Sequence, residues 1–432
     1  MRFFSTNDPT HQVELTQAVV KGLAPDQGLY FPFEIPKLSS DFLESLPDLS
    51  FREIGYGVIG AIFSDDLSTA QIKELVDHTL AFDAPIVKVE QDVYSLELFH
   101  GPTLAFKDFG ARFCSKLMSM LMAKSDKKVR VLVATSGDTG SAVANGFLGV
   151  EGVEVVILFP KGKVSALQEK QFTTLGQNII SLEVEGVFDD CQKLVKQAFL
   201  DSELNSKLLL TSANSINIAR WIPQCLYYFY AFSRLPKNGK EVVFAVPSGN
   251  FGNLAAGILA QRMGLPIKHF VAATNANKVV PDFLKGDVFT PKPSVQTVSN
   301  SMDVGNPSNF PRLLALYNFD EDSLKAHVSG GFYSDDETKE AIRSVREKGY
   351  VLDPHGAVGY LGLKDFMKSN PGFTGVFLET AHPGKFRDVV EEALGEDLVL
   401  PDRLAAFLEG QKKVTPMNND FEEFKTFLKE LE

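Results

Sequence analysis

Lys107 lies in the run Phe99-His100-Gly101-Pro102-Thr103-Leu104-Ala105-Phe106-Lys107-Asp108-Phe109-Gly110, where aromatic and apolar neighbours bring little competing positive charge. An amine in such surroundings is desolvated, which lowers its pKa and exposes the lone pair that Schiff-base chemistry needs. The same run also suits a lysine that lays its stem on apolar surface and keeps its ammonium in water. A nucleophilic amine gains meaning if an anion site lies nearby, and two segments qualify. Ser248-Gly249-Asn250-Phe251-Gly252-Asn253 follows an apolar run and opens a helical one, so its small residues allow backbone N–H groups to converge on a phosphate at the positive end of a helix. A tight strand-to-helix turn without a ligand fits it as well, and no Gly-Lys-Ser/Thr follows that would make it a Walker loop. Thr135-Ser136-Gly137-Asp138-Thr139-Gly140-Ser141 offers hydroxyls beside N–H groups for a carboxylate or phosphate, although plain helix capping favours the same residue types.

Other patterns lead away from function. Gly55-Tyr56-Gly57-Val58-Ile59-Gly60 matches a dinucleotide fingerprint in form only. That fingerprint needs a buried strand before it and a long helix after it. Here the preceding Leu49 to Ile54 is polar in the middle, and Ser64-Asp65-Asp66 follows within a few residues, so no nicotinamide site is expected. The seven histidines show no metal-ligand spacing, and no metal is expected. His355 and His382 read as loop histidines close to the candidate site.

The elements that must position these groups alternate from about residue 129 onward: a short β-branched run, a turn, then helical periodicity. VRVLVAT before SGDTGSAVANGF and EVVFAVPSGNFGNLAAGILAQRM are examples. Such uniformly apolar strands belong to mostly parallel sheets covered by helices, and this length suits two open twisted sheets of an α/β protein. Ligands in such sheets bind beyond the carboxyl ends of the strands, which singles out the loops at 136–141, 160–165, 248–253 and 379–385. Residues 1 to about 80 are less regular and read as a helical extension or cap, with helices near 13–23 and 68–82.

A formal net charge of −12 argues against nucleic acid and anionic membrane as partners, while a small anionic ligand needs only a local pocket of N–H groups and a few cations. The chain has no stretch of about 18 apolar residues. With three scattered cysteines (Cys114, Cys191 and Cys225), the expectation is a folded protein of the reducing cytoplasm.

Taken as a set, Phe-His-Gly-Pro-Thr-Leu-Ala-Phe-Lys-Asp-Phe-Gly (99–110), Ser-Gly-Asp-Thr-Gly-Ser-Ala (136–142), Pro-Ser-Gly-Asn-Phe-Gly-Asn (247–253) and Leu-Glu-Thr-Ala-His-Pro-Gly-Lys-Phe (378–386) stand in the order seen in threonine synthases. The chain resembles that family from end to end, through 160–165, 213–221 and 301–310 as well. The resemblance implies a fold type II pyridoxal 5'-phosphate enzyme. It makes Lys107 the lysine that bonds the cofactor and Gly249, Asn250, Phe251, Gly252 and Asn253 the loop around its phosphate. Thr380 would meet the pyridine nitrogen and Asp138 the ring oxygen. Ser136, Gly137 and Thr139 would meet the substrate amino acid. For the substrate phosphate, which requires charge-assisted donors, the candidates are Ser215, Asn217, Arg220 and Lys163. Competing readings make Arg220 a cation stacked on Trp221, leave Lys161 and Lys163 solvated, and pair Arg312 with Asp303 between domains.

The implied reaction converts O-phospho-L-homoserine and water to L-threonine and inorganic phosphate, the last step of threonine biosynthesis. Two alternatives share the Lys107 reading: another fold type II enzyme such as a serine or threonine dehydratase, and a non-catalytic relative that binds the cofactor or a phospho-ligand. The expected division is a large cofactor domain of 1–112 and 213–432, including the cap at about 1–80, and a smaller mobile α/β domain of 113–212, in a monomer or homodimer.

Overall fold

A computed structural model describes residues 1–123 and 128–431. Its larger sheet has six strands in the order Val328–Phe332, Ile267–Thr274, Glu241–Pro247, Phe373–Glu379, Val93–Glu97 and Ile86–Glu90. All neighbours are parallel except the last pair at the edge. A second, wholly parallel sheet has five strands: Thr415–Met417, Ile179–Val184, Val153–Pro160, Val129–Ala134 and Leu209–Ser212. Val129–Ala134 is buried along its whole length and Val153–Pro160 at all but one residue, which is why they read as unbroken β-branched runs rather than alternating ones. The α/β architecture with two open, mostly parallel sheets is thus as expected, and no strand order closes into a barrel.

The N-terminal extension is not simply helical. Arg2–Ser5 pairs antiparallel with Gln12–Glu14 and Tyr30–Pro32, so the start of the segment read as a helix at 13–23 is a strand, and the helix runs Leu15–Lys21. Strands of three or four residues leave too short an alternation to register in sequence, yet Phe3, Val13 and Tyr30 anchor them in the core. The expected helix near 68–82 is present as Thr69–Thr79. Helix Phe51–Phe63 opens on a capping box between Ser50 and Glu53 and carries the glycines of the false fingerprint in its middle. Gly55 packs against Val76 and Gly57 against Phe42, so these glycines admit neighbouring helices and loops rather than a nucleotide.

The C-terminus crosses back to the smaller sheet, where the sequence division had placed it with the larger one. Thr415–Met417 extends the five-stranded sheet beside Ile179–Val184. Helix Phe421–Glu430 then buries Phe424 and Leu428 in the core that also holds Leu132, Val156 and Leu194. Arg130 fastens the helix by donating to the carbonyls of Leu428 and Leu431. Apolar positions at i, i+3, i+4 show that this helix has a core face but not which core it joins.

Among the described residues no helix is long and apolar enough to cross a membrane, and no group of three His, Cys, Asp or Glu side chains is placed to hold a metal.

Candidate active site

Three loops at the carboxyl ends of strands converge on Lys107, the first residue of helix Lys107–Met122. The approach to that helix is braced by the loop after Phe373–Glu379: Ala105 and Ala381 form an antiparallel bridge, Phe106 N–H donates to Thr380 O at 2.8 Å, and His382 N–H donates to Leu104 O at 3.1 Å. This pairing sets Thr380 beside Lys107. Behind Thr380, Asp353 caps helix Pro354–Ser369 and accepts from Ala381 N–H at 3.0 Å, while Glu379 accepts from Asp353 N–H at 2.5 Å. Burial, followed by the Asp353 charge, pushes the Glu379 carboxyl well above the usual range. Lys107 is also pushed, in the opposite direction: burial brings its amine down to about 8, against the pull of Asp138 and with the help of Lys385 and Arg220.

The cavity at Lys107 is lined by Ser136, Asp138, Thr139, Ser215, Arg220, Thr380 and the whole run Gly249 to Asn253, which unites most of the residues singled out in the sequence. Phe251 holds a left-handed backbone (φ 60) at the mouth of helix Gly252–Arg262, a conformation that a bulky residue keeps only when its surroundings enforce it. Side chains tie the loop on either side of it: Asn253 donates from Nδ2 to Pro247 O at 2.8 Å, and Asn250 Oδ1 accepts from Ser308 N–H at 3.2 Å. The N–H groups of Gly249, Asn250 and Phe251 have no acceptor among the described residues. They form an anion cradle at a helix N-terminus. A Cβ on Gly249 would come within 2.8 Å of Met302 Cα, so only glycine lets the loop pass there. Across the cavity, Arg220 gives one N–H to Ala213 O while its buried Nε has no partner, and burial holds its guanidinium down at about 10. An anion cradle, a guanidinium in the cavity wall, a desolvated lysine and a free hydroxyl on Thr380 fit a phosphorylated aldehyde cofactor together with an anionic substrate.

Three family models match the chain. The model described as Pyridoxal-phosphate dependent enzyme matches residues 80–372, Threonine synthase N terminus matches 2–80, and Threonine synthase, C-terminal matches 356–428. The threonine synthase of Haemophilus influenzae is 47% identical over 429 residues, covering 99% of both chains. The crystal structure of the Escherichia coli threonine synthase superposes with a TM-score of 0.94 at 44% identity, covering 100% of both chains. A PLP-bound threonine synthase from Brucella melitensis gives 0.91 at 34% identity over 99% of this chain and 98% of that one.

The chain belongs to the threonine synthase family. It is a pyridoxal-phosphate-dependent enzyme of fold type II, and its reaction is that of threonine synthases, with a small-molecule substrate. These relatives give no support to the dehydratase alternative or to a non-catalytic one.

The structure leaves some sequence candidates outside the cavity. Lys163 is exposed on its loop. Asn217 spends its side chain on the backbone, donating to Val19 O and Ser212 O at 2.9 Å each and accepting from Ala219 N–H as the cap of helix Ile218–Trp221. Gly137 stands behind the cavity wall, where a φ of 140° and the pressure of Gln168 demand glycine. Arg312 and Asp303 do not pair: Arg312 serves carbonyls and the Trp221 ring, and Asp303 accepts from Thr297 and Asn275.

Residues passed over in the sequence do join the site. Ser301 donates to Asp138 Oδ2 at 3.2 Å, and its N–H donates to His355 Nε2 at 3.2 Å; both residues line the cavity, as does Gln224. His355 had been read as a loop histidine near the site. Fully buried Lys385 ion-pairs with Asp138 Oδ1 at 2.7 Å; the sequence had placed it in a loop at a strand's carboxyl end and in the 378–386 motif, but had given it no role.

Proposed function

We propose that Lys107 is the catalytic lysine of the threonine synthase reaction on O-phospho-L-homoserine. What carries the reading is the convergence of a desolvated amine, brought down to about 8, with the N–H cradle of Gly249 to Phe251 in one cavity. In this reading the 249–253 loop holds the cofactor phosphate and Thr380 meets the ring nitrogen. The cofactor, when bound, supplies the electron sink. Ser136 and Thr139 hold the substrate carboxylate, and Arg220 with Ser215 holds the substrate phosphate. Lys107, neutral in part near pH 8, takes and returns protons at the substrate's Cα and Cβ.

Water attacks at Cβ only after phosphate has left, so it has to be kept out until then. Ser136, Asp138 and Thr139 follow a strand of the smaller sheet, and the phosphate loop follows a strand of the larger one. This arrangement supports closure of a smaller domain, 113–212, over the substrate, with the C-terminal strand moving with it. Small-angle scattering that is unchanged by substrate would count against closure. The buried free thiols of Cys114 and Cys191 support a reducing cytoplasmic setting, the net charge of −12 supports the absence of nucleic acid partners, and the proposed state is a monomer or homodimer.

The test is to incubate the purified protein and its Lys107→Ala variant with O-phospho-L-homoserine and quantify threonine and phosphate together. Equimolar threonine and phosphate from the wild type alone is the expected result. Keto acid and ammonia in place of threonine, or an undiminished yield from the variant, would overturn the reading.

A further inference from the structure

Two buried lysines face one carboxylate in the cavity, and they share it unequally. Lys385, with its side chain 0% exposed, places Nζ 2.7 Å from Asp138 Oδ1 and donates to Thr103 O at 2.9 Å. Lys107 Nζ reaches only Oδ2, at 3.9 Å, which is beyond hydrogen-bonding distance. Asp138 is otherwise satisfied by Gln168 Nε2, 2.9 Å from Oδ1, and by the Ser301 hydroxyl. The remaining charges are few. Arg220 faces Lys107; Asp108, tied to Thr103, and His382 face Lys385; His355 lines the cavity.

We propose that Lys385 is a positioning residue that makes Lys107 easier to deprotonate by taking up the charge of Asp138. The proposal rests on the reading of Lys107 as the reactive lysine. A buried carboxylate about 4 Å from a lone ammonium strongly favours the charged amine. With Lys385 bound to it, the pair presents little net charge to Lys107, and the amine then responds mainly to its own desolvation. The directions of the two groups match this arrangement. Burial would raise the Asp138 carboxyl, but Lys385 and Lys107 hold it well below the usual range, while Lys107 is lowered although a carboxylate stands beside it. Because Asp138 follows a strand of the smaller sheet and Lys385 a strand of the larger one, the pair exists only where the two sheets meet.

The experiment reads the protonation of Lys107 directly. The full-length chain, freed of cofactor, is pulsed with acetic anhydride across the neutral to alkaline range, and acetylation at Lys107 is followed by mass spectrometry. Wild-type labelling is expected to reach half its plateau near pH 8. Lys385→Met is expected to raise that midpoint by about one unit or more, and Asp138→Asn to lower it. A midpoint that stays or falls in Lys385→Met overturns the proposal. If that variant does not fold, Lys385→Gln carries the same expectation, since its amide can still donate to Asp138 and Thr103 without the charge. Borohydride fixation of the cofactor in the holoenzyme separates the two levels of the argument. An adduct on a lysine other than Lys107 overturns the proposal together with the reading beneath it, and an adduct on Lys107 with an unmoved midpoint overturns the proposal alone.

Discussion

Arg312 holds its guanidinium carbon 4.8 Å from the centre of the Trp221 ring, and this contact separates the roles of two buried arginines. Its N–H groups also donate to Ser215 O at 2.9 Å, Asn309 Oδ1 at 2.7 Å, Ile216 O at 2.5 Å and Tyr30 O at 3.2 Å. Arg312 therefore ties the N-terminal extension to the segment that carries Ser215, and it leaves Arg220 free for the cavity. Arg312→Met is expected to cost roughly 2–5 kcal/mol, because it strands buried acceptors. Arg220→Lys is expected to melt close to wild type and, on the proposal that Arg220 holds the substrate phosphate, to raise KM for O-phospho-L-homoserine roughly tenfold or more, since lysine cannot offer the planar fork of a guanidinium. Melting curves and steady-state kinetics on both variants check the contrast, and the reverse pattern would refute it.

The 249–253 loop leaves no room for a methyl group at its first glycine. A Cβ at Gly249 would press on main-chain atoms, Met302 Cα at 2.8 Å and Ser301 O at 3.0 Å, and would shift the residue that holds both Asp138 and His355. Titration of the cofactor-free chain with pyridoxal phosphate should show Gly249→Ala weakened by roughly tenfold or more. An affinity equal to wild type would mean that the loop is not the cradle.

Gly60 provides the opposite case. A Cβ there meets nothing within 4 Å, and the residue lies inside helix Phe51–Phe63. Gly60→Ala should stabilise the protein by about 0.5–1 kcal/mol through helix propensity. Its turnover should be unchanged, as expected of a glycine that binds no ligand.

Acid should loosen the protein through its half-buried histidines. Burial, reinforced by His327, holds His269 down at about 4, where it stacks on Phe366 at 4.8 Å and pairs with the Ser329 hydroxyl at 3.0 Å. The unfolded chain has an ordinary imidazole, so between about pH 6.5 and 4 the unfolded state binds more protons and stability rises with pH. Read in the acid direction, this contribution is intact above about 6.5 and is lost as pH falls through that window. His78 and His382, also lowered to about 4, act with the same sign. Melting temperatures should drop from pH 7 toward 5, and His269→Gln should make the decline shallower; an identical slope would remove His269 from the account.

The parts of the fold that the sequence announced are those whose burial is uniform. Val129–Ala134 and Glu241–Pro247 read as strands because helices cover both faces, and the loops that follow them could be located before any coordinates existed. Three-residue strands such as Gln12–Glu14 and Thr415–Met417 carry no such pattern, since their pairing is decided by distant partners. The site was legible where function resides in one loop, as at Lys107 and 249–253. It was illegible where function depends on a long-range meeting. Nothing near Lys385 in the chain indicates that its ammonium would lie fully buried against Asp138, and nothing near Asn217 shows that its amide would be consumed by Val19 and Ser212.

The return of the C-terminus to the smaller sheet has a consequence for biosynthesis. While the ribosome is still translating the larger sheet, strands 129–134, 153–160, 179–184 and 209–212 are already available, but the flank of Ile179–Val184 that Thr415–Met417 will occupy is bare. An uncovered flank of apolar strand recruits whatever extended peptide is nearby. The nascent chain is thus most prone to aggregate in the interval before its last strand and helix emerge, and truncation before Thr415 would make that transient hazard permanent.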